Sequence, residues 1–122
     1  RGFDGKRLIG YPESHDKDRL MYEAKTYGNN SGTGSVFNNE TNTINRMSAL
    51  GAISMLIPGP KMIWHFQELG MDDSIFTCTD GTINSQNDAI AGDCKLATKP
   101  QPQWVENWLT TTPRSTIYSN YF

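Results

Sequence analysis

Two short apolar segments constrain the fold more than any other feature of the chain. Residues 7–12 (RLIGYP) and 61–66 (KMIWHF) are compact apolar runs bounded by chain-breaking or polar residues. Runs of this length are typical of buried strands. Because neither run alternates between polar and apolar residues, we expect the two strands to be parallel and covered on both faces.

Helical patterns occupy much of the sequence between these segments. Residues 17–27 contain good helix formers and are followed by Gly28, which predicts a short helix that ends there. Residues 43–56 carry apolar side chains at a three-to-four spacing, which predicts a second helix, with Thr41 and Asn42 as candidate N-caps. Its buried face is expected to contain Ile44, Met47, Leu50, Ile53 and Leu56.

Both cysteines, Cys78 and Cys94, lie in a long polar segment, residues 71–99, which is predicted to be a loop. Two thiols are too few for a structural zinc site, and neither His15 nor His65 lies at a ligand-like spacing from them. We expect a disulfide that closes a surface loop and stabilises it by about 3 kcal/mol; two unrelated thiols are the alternative. A disulfide implies secretion or a periplasmic location.

Composition excludes several classes of partner. The 11 basic and 13 acidic side chains give a net charge of −2, so no basic surface for nucleic acid is expected. No apolar run approaches the roughly 18–20 residues that span a bilayer. Only 36% of the residues are apolar, which is little for a small domain that must bury its own core. Residues 1–122 are therefore expected to be one segment of a larger domain, with further helical structure beginning at 104–109 and 114–121.

Residues 11–16 (YPESHD) resemble the last conserved motif of the α-amylase family of glycoside hydrolases, FVENHD, at the end of the seventh strand of a (β/α)8 barrel. Residues 57–64 (IPGPKMIW) and 67–70 (QELG) are similar to the eighth strand and the loop after it. Residues 13–20 (ESHDKDRL) resemble bacterial α-amylases that carry ESHDEERL, and residues 99–104 resemble a KPxxW element with one residue more. The resemblance implies an α/β fold class: the carboxyl-terminal part of a TIM barrel, with strands seven and eight, their helices and a long disulfide-bearing loop.

The same resemblance assigns roles to several ionisable residues. It implies that Asp16 is a catalytic carboxylate that binds sugar hydroxyls in the −1 subsite, and that His15 hydrogen-bonds the same sugar; an N-cap of the first helix is the alternative for Asp16. Glu13 is expected to form a buried ion pair, with Arg19 either its partner or a surface charge. Glu68 is expected to order the loop after the second strand.

Trp64, His65 and Phe66 are expected to pack within the strand, with an aromatic platform for sugar stacking as the alternative. Retaining glycoside hydrolysis needs a nucleophile and a general acid, and the resemblance implies that both lie upstream, so this chain alone is not expected to turn over substrate. No metal site or cofactor is expected in this segment, and calcium is a candidate cofactor of the parent enzyme only. The expected partners are an α-1,4-glucan such as starch or glycogen and the remaining barrel segment. A glucan-branching transferase of the same family and a non-catalytic carbohydrate-binding fragment are the alternatives.

Overall fold

The computed structural model describes residues 9–78, 81–83 and 107–122. Within these ranges the chain forms α-helices and one short 3-10 helix, and no β-strand. The helices are α1 (Leu20–Tyr27), α2 (Glu40–Leu56), the 3-10 helix Gln67–Leu69, and α3 (Arg114–Tyr121). The prediction of a partial (β/α)8 barrel with strands seven and eight is therefore wrong.

Among the described residues, the two segments predicted to be strands meet at a single residue pair. Gly10 and Lys61 form an isolated parallel bridge. The Gly10 N–H donates to the Pro60 carbonyl at 2.9 Å, and the Met62 N–H donates to the Gly10 carbonyl at 3.0 Å. Proline has no backbone N–H, so Pro12 and Pro60 each remove a donor that a longer ladder would need. Residues 9–12 and 61–66 thus approach each other in parallel without becoming strands.

The first helix begins at Leu20 rather than at residue 17. The Leu20 N–H donates to Oε1 of Glu13 at 2.9 Å, so a carboxylate from the preceding segment satisfies one of the free N–H groups at the helix start. Arg19 occupies the N-cap position and makes no side-chain capping bond, so the alternative role of Asp16 as the N-cap is wrong. Gly28 directly follows the last helical residue, as predicted.

The second helix begins at Glu40, which is earlier than predicted. The side chain of Asn39 accepts a hydrogen bond from the Asn42 N–H at 3.0 Å, so Asn39 is the N-cap, and neither Thr41 nor Asn42 is. The helix ends at Leu56, as predicted.

Only the first half of the predicted apolar face of α2 is buried. Ile44 and Met47 are 2% and 6% exposed, whereas Ile53 and Leu56 are 60% and 82% exposed. The periodicity identified the helix and one side of it correctly, but the neighbouring elements cover only its first three turns.

The core is built where the helices cross. α1 and α3 both pack on α2, and α3 also packs on the 3-10 helix. Gly51 permits the closest approach, because a Cβ atom at this position would overlap the ring of Tyr121. One buried cluster consists of Met21, Ile44, Met47, Ile117 and Tyr121. A second consists of Leu69, Met71, Ile75 and Trp108.

The carboxyl-terminal predictions have mixed outcomes. The helix predicted for 114–121 is confirmed by α3. The described parts of the predicted loop, residues 71–78 and 81–83, contain turns and an isolated antiparallel bridge between Thr77 and Ile83. Cys78 is buried, whereas Cys94 and residues 99–104 lie outside the described residues. Their disulfide therefore stays a prediction.

Candidate functional site

His15 and Asp16 lie side by side in the turn that precedes α1. Nε2 of His15 is 3.1 Å from Oδ1 of Asp16, and the two side chains are 71% and 80% exposed. The Asp16 N–H donates to Oγ of Ser14 at 3.3 Å, which helps to shape the turn. An imidazole and a carboxylate are thus presented to solvent as a neighbouring pair that a ligand can reach.

A row of rings continues from this pair. The ring centroid of His15 is 5.9 Å from that of Trp64, which is 4.8 Å from that of His65. His65 in turn lies 5.1 Å from the ring of Phe66 in an edge-on arrangement. An aromatic ring beside hydrogen-bonding groups suits an amphipathic ligand, because the ring packs on its C–H groups while the polar groups set its orientation.

The backbone of Trp64 is linked to the buried interior through the side chain of Gln67. The backbone N–H of Trp64 donates to Oε1 of Gln67 at 3.3 Å, and Nε2 of Gln67 donates to the Tyr121 hydroxyl at 2.9 Å. Gln67 is 2% exposed and Tyr121 is 8% exposed. Gln67 therefore connects the backbone of Trp64 to Tyr121 in α3, although Trp64 and Tyr121 lie far apart in the sequence.

The backbone bends sharply after the row of rings. Phe66 adopts a left-handed conformation with φ 63° and ψ 9°, which costs a residue with a side chain about 1–2 kcal/mol. Its carbonyl accepts hydrogen bonds from the N–H groups of Leu69 and Met71, both at 3.1 Å. Strained residues of this kind concentrate at functional sites. Here the bend ends the apolar segment and turns the carbonyl of His65 toward Arg19.

Arg19 is fully buried and forms an ion pair with Glu13, which is 2% exposed. Nη1 of Arg19 donates to Oε2 of Glu13 at 2.9 Å. The structure therefore shows Arg19 as the partner of Glu13 and not as a surface charge. Burial raises the pKa of the Glu13 carboxyl, and the positive charge of Arg19 opposes that rise.

The same guanidinium contacts His65 at two atoms. Nη1 donates to the His65 carbonyl and Nη2 contacts Nε2 of the His65 ring, both at 3.0 Å. Partial burial, together with the nearby Arg19 charge, lowers the pKa of His65, so its ring is neutral at pH 7. The sequence analysis predicted that His65 packs within a strand. No local sequence pattern connects His65 with Arg19.

Glu68 lies in the 3-10 helix and is half-buried. Its Oε2 atom is buried and makes no hydrogen bond with the described residues, and the same is true of Nε of Arg19. Burial raises the pKa values of Glu13 and Tyr121, and the negative charge of Glu68 adds to both rises. The predicted role of Glu68 in ordering the loop stays a prediction.

A second charged network supports the segment that follows the 3-10 helix, and sequence reasoning missed it. Arg114 is 7% exposed, and its Nη2 lies 2.9 Å from Oδ1 of Asp72 and 3.3 Å from Oε1 of Glu40. Nζ of Lys25 contacts Oδ2 of Asp72 at 2.6 Å, and the guanidinium lies 4.0 Å above the ring of Trp108. Arg114 and Glu40 are 74 positions apart, so no local spacing could have indicated this contact.

No protein-family model matches the chain, and no curated protein matches it. The relationship to α-amylases therefore stays a prediction that rests on the residues themselves. Within the described ranges, no group of three or more His, Cys, Asp or Glu side chains could hold a metal ion. No helix in the same part of the chain is long and apolar enough to cross a membrane.

Proposed function

We propose that His15, Asp16 and Trp64 bind an α-1,4-glucan and that they contribute to a retaining glycoside hydrolase. The observation that carries the proposal is the exposed pair of His15 Nε2 and Asp16 Oδ1, 3.1 Å apart, with a tryptophan ring 5.9 Å from the imidazole. Its second support is the resemblance of residues 11–16 to the α-amylase motif that ends in His-Asp.

Each residue has a distinct task in this proposal. The carboxylate of Asp16 accepts hydrogen bonds from sugar hydroxyls, and its negative charge favours the positive charge that develops on the sugar ring in the transition state. His15 hydrogen-bonds the hydroxyls of the same sugar. Trp64 supplies an apolar surface for the C–H face of that sugar or of the next one.

The reaction needs two further carboxyl groups, a nucleophile and a general acid. The resemblance assigns neither role to a residue of this chain. The chain by itself is therefore expected to bind glucan without cleaving it. A clear release of reducing sugar from starch by the purified chain would contradict this division of roles.

Binding of maltoheptaose, measured by calorimetry or by NMR titration, tests the proposal directly. Asp16→Asn removes a charge-assisted acceptor worth about 1.5–3 kcal/mol, so we expect affinity to fall about tenfold or more. Glu23→Gln is the matched control, because it removes the same charge from a partly exposed pair with Lys17 at 3.4 Å, and we expect no change in affinity. Equal affinities of Asp16→Asn and the parent chain would refute the proposed role.

A cationic imino-sugar of glucose configuration tests the electrostatic part of the role. Because it mimics the charge of the transition state, its binding should depend more strongly on the Asp16 carboxylate than binding of neutral maltoheptaose does. An equal loss for both ligands in Asp16→Asn would indicate that Asp16 contributes only a hydrogen bond.

A further inference from the structure

We infer that His65 is a further sugar-binding residue of this site, that it donates a hydrogen bond from Nδ1 to an oxygen of the ligand, and that Arg19 positions it. This role rests on the proposed function and deepens it. It adds a neutral donor to a site in which Asp16 is an acceptor.

The tautomer of His65 follows from the chemistry of its partner. A guanidinium has only N–H donors and stays protonated in proteins. Nη2 of Arg19 lies 3.0 Å from Nε2 of His65, so Nε2 must be the acceptor. A neutral imidazole carries its one hydrogen on the other nitrogen. Arg19 therefore selects the tautomer with hydrogen on Nδ1, which is the less common one for histidine in water.

The orientation of the ring is fixed as well as its tautomer. Nη1 of Arg19 holds the carbonyl of His65, so both ends of the residue are attached to one buried guanidinium. That guanidinium is held in turn by Glu13. The rings of Trp64 and Phe66 both lie next to the imidazole, with centroid distances of 4.8 Å and 5.1 Å. A side chain held at this many points loses little conformational freedom when it binds a ligand.

The free side of the ring is available to a ligand. His65 is exposed, and its Nδ1 makes no hydrogen bond with any residue in the described part of the chain. It lies next to Trp64, whose other neighbour in the row of rings is His15. A sugar packed on Trp64 would thus lie close to both histidine rings, since their centroids are 5.9 Å (His15) and 4.8 Å (His65) from that of Trp64. A neutral donor suits the uncharged oxygens of a glucan.

Nitrogen-15 NMR of the histidine side chains tests the tautomer without any ligand. The chain contains two histidines, so His15→Asn assigns the remaining signals to His65. At pH 8 we expect a pyrrole-type shift for Nδ1 and a pyridine-type shift for Nε2. The double variant Arg19→Met with Glu13→Gln should reverse this assignment. A pyridine-type Nδ1 in the parent chain would overturn the inference.

Two substitutions of His65 test its role in binding. The amide introduced by His65→Asn lies near the position of Nδ1 and can donate from there, whereas the longer side chain introduced by His65→Gln places its amide near Nε2. Loss of one hydrogen bond of about 1 kcal/mol predicts about fivefold weaker maltoheptaose binding for His65→Gln, with most of the affinity retained by His65→Asn.

The outcomes separate this role from the proposed function. Parent-like binding by His65→Gln, together with weakened binding by Asp16→Asn, would overturn the role of His65 alone. No binding of maltoheptaose by the parent chain would overturn both, whatever the tautomer. Equal losses in His65→Asn and His65→Gln would show that ring packing, and not donation from Nδ1, accounts for the effect.

Discussion

Replacement of Arg19 by methionine tests the buried centre of the site. Methionine fills much of the space of the arginine stem but cannot balance the charge of Glu13. Because Arg19 is 0% exposed and Glu13 is 2% exposed, water cannot replace the lost partner. Breaking a buried ion pair on one side costs about 3–5 kcal/mol. That is a large part of the free energy of unfolding of an ordinary domain, which is about 5–15 kcal/mol.

The double variant Arg19→Met with Glu13→Gln should be more stable than the single variant. Glutamine removes the unpaired charge and can still accept the hydrogen bond from the Leu20 N–H that starts α1. The remaining losses include two hydrogen bonds from Arg19 to His65, one to its carbonyl and one to Nε2 of its ring, both at 3.0 Å and each worth about 1 kcal/mol. We therefore expect the second substitution to restore about 1 kcal/mol or more of the stability lost in the first.

Urea unfolding followed by far-UV circular dichroism measures these differences, provided that the slope with denaturant stays constant. The loss in Arg19→Met should also be smaller at pH 4 than at pH 7, because a Glu13 carboxyl without its cation takes up a proton. If the double variant is as unstable as Arg19→Met, the unpaired carboxylate is not the cause. Packing around the arginine stem would then account for the loss.

Three further predictions concern stability. Asn39→Ala should cost about 1 kcal/mol in urea unfolding because Asn39 caps α2, while Thr41→Ala should change stability by less than about 0.5 kcal/mol; similar losses would refute this cap. Gly51→Ala should lower the melting temperature, because overlap of the new Cβ with the Tyr121 ring costs about 1–3 kcal/mol. This cost outweighs the gain of about 1 kcal/mol in helix propensity, and a higher melting temperature would refute the prediction. The pKa of His65 is lowered in the folded chain. Below about pH 6.5 the unfolded chain therefore binds more protons than the folded chain, and the free energy of unfolding decreases as the pH falls. The urea midpoint should drop less between pH 7 and pH 5.5 in His65→Gln, and equal drops would contradict the lowered pKa.

The helices were largely predictable because their signals are local. The spacing of apolar residues predicted α2, and Gly28 predicted the end of α1. Their starting residues were not predictable to the same degree. The start of α1 depends on a carboxylate seven positions earlier, Glu13, whose hydrogen bond to Leu20 is a tertiary contact.

The strands could not be judged from the sequence. A short apolar run is equally compatible with a strand and with a buried irregular segment. The second run ends at Phe66, whose backbone has a positive φ. Bulky residues rarely adopt a positive φ, so the sequence does not predict a left-handed conformation there. In the part of these two runs that the structure describes, one bridge, between Gly10 and Lys61, is all that remains of the predicted pairing.

By itself, the sequence identified two of the residues that carry the proposed chemistry, His15 and Asp16. His15 and Asp16 are adjacent in the chain, so their proximity needs no fold. Tertiary structure alone decided what surrounds them. Trp64 approaches His15, and Arg19 holds His65, across 46 or more residues of intervening chain. Contacts at such separations form only when burial of the core offsets the entropy lost in closing the loop. No local pattern of residues encodes that event, which is why the neighbours of the site are visible only in the folded chain.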